Sequence, residues 1–173
     1  MKKFTMVFAM ILALAAANQT LAREISGYGA RGMVAMSSGG YGNFWGNGAG
    51  GVGTVFYKFD DKITLSGSVG FLRHSATDNL FGDLSLTVIP IMSGARYYLK
   101  EEGEKMRPYV GGDLGYFFVS VGGDDFGYLG SGSSEITLGP AAGVNFGKLD
   151  LRAVYYLTDI SYLGLEVGIA LWN

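Results

Sequence analysis

The last twelve residues, YLGLEVGIALWN from Tyr162 to Asn173, limit what this chain can fold into more than any other stretch. Leu163, Leu165, Val167, Ile169 and Leu171 are large and apolar, while Gly164, Glu166, Gly168 and Ala170 between them are small or charged. Side chains on a strand alternate between its two faces, so this period of two describes a strand with one greasy face and one wetter face.

The alternation recurs upstream. Ile63, Leu65, Gly67, Val69 and Phe71 oppose Thr64, Ser66, Ser68, Gly70 and Leu72. Val110, Leu114, Tyr116 and Phe118 oppose Gly111, Asp113, Gly115 and Phe117. Ile136, Leu138, Pro140, Ala142, Val144 and Phe146 oppose Glu135, Thr137, Gly139 and Asn145, and Leu149, Leu151, Ala153, Tyr155 and Leu157 oppose Asp150, Arg152, Tyr156 and Thr158. Further strands are predicted over Ser26 to Met36, with Arg31 on the face of Gly29 and Met33, and over Gly51 to Phe59. In the segment opened by Leu84, Leu86 and Val88 the apolar parity slips beyond Pro90, which predicts a bulge at Ile89 to Ile91. The total is eight strands, and no long window after Ala22 holds a helical period.

The connections alternate in kind. Those at Asp60–Asp61, at Lys100 to Arg107 and at Gly147 are tight or charged. The segments Ser37 to Gly50, Arg73 to Leu80 and Gly122 to Ser134 are polar or rich in Gly, Ser and Asn and read as longer loops. Outer-membrane barrels have this asymmetry, with short turns at one end and longer loops at the other.

Residues 1–22 read as a cleaved secretory signal peptide: Lys2 and Lys3, an apolar run to Ala17, then small residues suited to cleavage after Ala22. The domain then runs over residues 23–173. The sequence has no cysteine, so neither a disulfide framework nor a lipid-acceptor cysteine is available. The 13 basic residues less Lys2 and Lys3 leave 11 against 15 acidic ones, a net charge of −4, which argues against nucleic acid as a partner. Glycine (29), tyrosine (11) and phenylalanine (11) favour short strands with tight turns.

A soluble barrel would also show eight alternating strands, but its outer face would carry the charge. Here the minority face offers Arg31, Arg96, Asp113, Glu135, Arg152 and Glu166, and the opposite face has essentially no mid-strand charge. With export, this points to lipid outside and a charged lumen inside, because an Arg or Lys on the lipid face at mid-membrane costs about 2–4 kcal/mol. Glu166 is expected to pair with Arg31, Arg96 or Arg152. Aromatics near turns (Phe56, Tyr57, Phe59, Tyr97, Tyr98, Tyr109, Phe146, Trp172) and near loops (Phe71, Phe81, Phe118, Tyr155, Tyr162) read as two girdles. The expected fold is all-β, an eight-stranded antiparallel up-and-down transmembrane β-barrel.

On PIMSGARYYL from Pro90 to Leu99, RPYVGGDLGYFF from Arg107 to Phe118 and the last strand, the chain resembles the small outer-membrane β-barrel family that includes the OmpA transmembrane domain and its stand-alone eight-stranded relatives. The resemblance implies a bacterial outer-membrane location reached through the secretory pathway. It also implies contact with outer-membrane lipid and assembly by the machinery that recognises a C-terminal strand. That family usually ends in an aromatic residue, whereas here Trp172 precedes a terminal Asn173.

Enzymatic and metal-binding patterns are sparse. Gly48, Gly50 and Gly53 fit a dinucleotide-binding spacing, but a strand follows where that fold needs a helix. His74, Ser75 and Asp78 suggest a nucleophilic triad, yet adjacent strand residues point to opposite faces, so His74 reads as a solvated rim histidine. Asp124 and Asp125 lack calcium-loop spacing. No cofactor or metal is expected. The charged lumen admits a paired plug or a thin water path. The expected function is that of a monomeric, non-enzymatic envelope protein with a structural or surface-interaction role through its loops, with Tyr41, Phe44, Trp45, Phe126 and Tyr128 as the contacts to a surface ligand. A narrow channel and a lipid-modifying barrel enzyme are the alternatives.

Overall fold

The computed structural model describes residues 25–38, 45–76, 84–123, 127–158 and 161–172. Eight strands follow in chain order: β1 (Ile25–Ser37), β2 (Trp45–Lys58), β3 (Ile63–Ala76), β4 (Ser85–Tyr98), β5 (Met106–Gly123), β6 (Gly127–Phe146), β7 (Leu149–Tyr156) and β8 (Tyr162–Trp172). Each pairs antiparallel with the next, and β8 pairs back onto β1, so the wall closes into a barrel.

The register fixes the barrel's width. One row around the wall runs from Leu157 through Leu138, Leu114, Ser93, Gly67, Val55 and Tyr28 to Leu171. Extending the β7–β8 register by two residues then returns to position 147, a stagger of ten residues from the start. With eight strands, that stagger tilts them by about 40° and leaves an interior that side chains can fill.

The two faces divide as the alternation predicts. Leu65, Val69, Ile89, Ile91, Val110, Leu114, Ile136, Leu138, Leu165, Val167 and Ile169 stand outward and exposed. Such a continuous apolar outer face is what lipid contact requires. Ser93 brings a hydroxyl into this band, and it donates to the Leu114 carbonyl at 3.0 Å, so its polar hydrogen is satisfied within the wall.

The turns are built locally. Asp60 Oδ1 accepts from the amides of Lys62 (2.7 Å) and Ile63 (2.6 Å), closing the β2–β3 hairpin. Gly103 and Gly147 take φ of 95° and 56° in the next two turns, a conformation that side chains disfavour.

Three expectations are corrected. The loops predicted over Ser37 to Gly50 and Gly122 to Ser134 are too long, because β2 starts at Trp45, β5 runs to Gly123 and β6 starts at Gly127. Gly and Ser signal turns by composition, but a neighbouring strand can hydrogen-bond their backbone whatever the side chain. No bulge occurs at Ile89 to Ile91, since the β4–β5 register is unbroken from Ser85↔Gly122 to Tyr98↔Tyr109. Leu86 and Val88 share the inward face with Pro90, Met92 and Arg96, and what changes along β4 is the character of the lumen. Pro90 interrupts only the pairing to β3, where partners are found at Val69↔Ile91 and Leu72↔Val88 but not between.

The third correction concerns the girdles. Phe56, Tyr98, Tyr109 and Tyr162 are fully buried inside the barrel. Trp172 has the inward parity of Ala170 and stacks on Phe56 with centroids 4.8 Å apart. It covers the turn-side mouth. Tyr28, Phe59, Phe71, Tyr97, Phe146 and Tyr155 are exposed outward, and Phe81 lies outside the described residues.

Candidate functional site: a filled lumen

Inward-facing residues of all eight strands converge on a filled interior with two layers. On the turn side and at mid-height the layer is ionic. Arg31 from β1, Arg96 from β4 and Arg152 from β7 meet Asp113 from β5, Asp150 from β7 and Glu166 from β8, and all six are buried.

The contacts form one chain of charge. Glu166 holds Arg31 Nε at 2.6 Å and Arg152 Nη1 at 3.2 Å. Arg152 Nη2 reaches Asp113 Oδ2 at 2.5 Å, where Tyr156 also donates at 3.4 Å. Asp150 Oδ2 takes Arg31 Nη1 at 3.2 Å and Arg96 Nη2 at 3.0 Å, and its Oδ1 accepts from Tyr109 at 2.9 Å. Arg31 donates further to Thr54 Oγ1 at 3.0 Å, and Thr54 is within 3.0 Å of Ser68 Oγ. The Arg96 guanidinium lies between the rings of Phe56 and Tyr109, each 4.6 Å from its centroid. Three positive and three negative side chains thus neutralise one another. Desolvating them costs several kcal/mol per ion, which this pairing offsets although Arg96 Nη1 and Arg152 Nε are left without a hydrogen-bond partner.

Towards the loops the lumen turns apolar. Met33, Ala35, Trp45, Val52, Leu72, Leu86, Val88, Met92, Phe117, Val119, Val154, Tyr156 and Tyr162 form one packed cluster. Phe117, Tyr156 and Tyr162 stack on one another with centroids 5.0 to 5.9 Å apart. The interstice bounded by Arg31, Ser68, Pro90, Asp113, Arg152 and Tyr156, among others, has no room for a water molecule.

Of the residues singled out from sequence, Arg31, Arg96, Asp113, Arg152 and Glu166 come together here. Glu135 sits higher on β6, partly buried and opposite Phe117 on β5. Glu166 pairs with Arg31 and Arg152, and Arg96 turns to Asp150 instead. Asp150, the most connected carboxylate, shares the face of Arg152 as the alternation predicts, but two residues beyond the Gly147–Lys148 turn it does not read as a lumen charge. Its position two before Arg152 is the signal that marks it as one.

Trp45 is not a loop residue. It opens β2 and packs into the apolar cluster, 9 % exposed. Tyr128 lies on β6, paired with Gly122. Tyr41, Phe44 and Phe126 lie outside the described residues, as do Asp78, Asp124 and Asp125. His74 is no solvated rim residue: it is fully buried. Its Nδ1 lies 3.0 Å from the Gly46 carbonyl and 3.3 Å from Ser37 Oγ, so the ring bridges β3 to β2 and β1. Ser75 points to the opposite, exposed face. Among the described residues, no three His, Asp or Glu side chains gather as a metal set.

No family model matches the sequence, and no curated protein matches it. Solved structures do. Neisserial surface protein A (NspA) superposes with a TM-score of 0.58 at 21 % identity, covering 85 % of this chain and 96 % of that one. Ail, the attachment invasion locus protein of Yersinia pestis, superposes with a TM-score of 0.53 at 16 % identity, covering 84 % and 97 %. With its apolar outer face, closed wall and charged interior, this chain has the fold of the small eight-stranded outer-membrane β-barrels.

Proposed function

We propose that this protein is exported behind residues 1–22 and inserts into the bacterial outer membrane with its tight turns in the periplasm. There it serves as a non-conducting, non-enzymatic envelope barrel that meets surface partners through its loops. The observation that carries this reading is the filled lumen: among the described residues, a balanced ionic layer lies beneath a packed aromatic and aliphatic layer, which supports a plug over a water path or a substrate cleft. A conducting eight-stranded barrel would need small polar side chains where Leu72, Leu86, Val88 and Phe117 stand. With Trp45 and Tyr128 placed on strands, the loop contacts reduce to Tyr41, Phe44 and Phe126.

Planar-bilayer recording tests the reading. The intact protein is expected to give no stable ion-sized steps, and steps abolished by Arg96→Ala would establish the channel instead. Fractionation with boiled and unboiled gels tests the location, since recovery in the soluble periplasm without a heat-dependent mobility shift would overturn it. His74→Ala is expected to leave envelope lipid chemistry unchanged, because the imidazole is fully buried and its Nδ1 is held against the Gly46 carbonyl and the Ser37 hydroxyl, out of reach of a lipid substrate.

A further inference from the structure

Glycine inside a strand weakens it, and on a lipid face a branched side chain would both strengthen the strand and meet the solvent. Most inward glycines of this barrel have an internal reason. A Cβ on Gly48 would lie 2.7 Å from the His74 ring, one on Gly29 2.9 Å from Phe56, and one on Gly139 2.8 Å from Tyr156. The outward-facing Gly32, Gly51 and Gly53 differ. A Cβ there would meet nothing nearer than 3.8, 3.5 and 3.8 Å respectively. Packing within the barrel therefore does not require them to be glycine.

They lie side by side. Gly32 pairs with Gly51, Ala30 with Gly53 and Val34 with Ala49, giving a floor of glycine and alanine across β1 and β2 that Val34 bounds at its loop-side end. Val69 and Phe71 of β3 stand proud on one side, 57 % and 50 % exposed, and Val167 and Ile169 of β8 on the other, 57 % and 50 % exposed. From Ala49 to Gly53 the furrow runs about 13 Å along the strand.

At its loop-side end, level with Ala49, stands Arg73. Its other ladder neighbour is Thr87, and Ser75 follows two residues on along the same face. Arg73 is exposed and has no carboxylate partner among the described residues. This guanidinium, beside two hydroxyls at the upper border of an apolar band, suits a phosphate, which accepts its fork of donors.

We propose that the outer face of β1, β2 and β3 is a docking surface for one phosphate-bearing membrane lipid of the loop-side leaflet. Its headgroup phosphate binds Arg73, Ser75 and Thr87, and an acyl chain lies in the furrow over Ala49, Gly51 and Gly53. Charge decides against a second copy of the chain on the same floor. A two-fold axis along the membrane normal would bring two Arg73 side chains to the same height across the interface, with no carboxylate among the described residues there to separate them. The inference rests on the reading that the apolar face meets lipid.

Spin-labelled lipids test it on the full-length protein in phosphatidylcholine vesicles. The wild type is expected to select labelled phosphatidic acid over labelled phosphatidylcholine by about tenfold at a single site, the ratio that one good charge-assisted contact supplies. Arg73→Ala should bring that preference close to unity, and Gly51→Leu with Gly53→Leu should remove the immobilised acyl-chain signal. Unchanged selectivity in both variants would overturn the proposal. So would its abolition by millimolar inorganic phosphate, which would mark a free-ion site. Efficient disulfide dimerisation of Gly53→Cys in an otherwise cysteine-free chain would overturn it in favour of a second copy. A heat-dependent gel shift run on every variant keeps the barrel reading separate: its loss in the wild type sinks the barrel, and its retention with lost selectivity isolates the lipid site.

Discussion

Asp150 shows how much of this fold's stability rests on single side chains. It accepts from Arg31, Arg96 and Tyr109 and is completely buried. Asp150→Asn keeps the shape but leaves two guanidinium groups undercompensated, and removing one partner of a buried ion pair costs about 3–5 kcal/mol. Urea unfolding from phosphatidylcholine vesicles should show a loss of that order, and a change of less than about 1 kcal/mol would mean that water reaches the pair. Adding Arg96→Met should recover part of the loss, because the orphaned charge is then gone. Gly48 makes the complementary case for space: Gly48→Ala drives a methyl into the His74 ring and should cost about 1–3 kcal/mol in the same assay. The alternation exposed Arg31, Arg152 and Glu166 from sequence because each stands alone among small or apolar neighbours. Asp150 and the burial of His74 were hidden, since both lie near strand ends, where periodicity alone does not separate rim from lumen.

At the level of the strand, alternation predicts faces well and ends poorly. β8 is the clearest example, for its outward Leu165, Val167 and Ile169 and inward Glu166 were legible from Leu163 onwards. The same parity, carried one residue further, turns Trp172 over the turn-side mouth, where it stacks on Phe56 while remaining exposed. Aromatic composition pointed to a girdle, and the count of twos was the better guide. In β4 the reverse held. Leu86 and Val88 suggested a slip because they are apolar on a face that is polar at Arg96, yet the lumen itself changes from ionic to apolar along its axis. β5 and β6 were underestimated since their ends are Gly and Ser, whose backbones pair as well as any. Pro90 tests the revised view of β4. In an unbroken register Pro90→Val restores an amide opposite β3 without shifting any side chain, so it should leave the fold intact and stabilise it by about 0.5–1.5 kcal/mol. A bulge would instead reverse the faces beyond it, and loss of the heat-dependent gel shift on this change would reinstate that geometry.

Taken as a whole, the barrel inverts the usual arrangement of a soluble protein, with its charge inside and its apolar surface out. That inversion sets how the molecule responds to its medium. The six lumen charges are no more than 7 % exposed, and at least a layer of protein separates each pair from mobile ions. Among the described residues, ion pairs open to solvent lie at the turns, where Lys58 meets Asp61 and Glu102 and Lys100 approaches Glu104. Exposed pairs of this kind contribute about 0–1 kcal/mol and are screened by salt, whereas buried ones are screened far less. Raising sodium chloride from about 0.05 to 1 M, which shortens the screening length to about 3 Å, should therefore shift the urea midpoint of the folded barrel hardly at all. Asp150→Asn should make the protein no more salt-sensitive, because the uncompensated charge stays out of reach of the ions. A marked salt dependence in the wild type would show that electrolyte enters the lumen, and it would favour the water path over the plug.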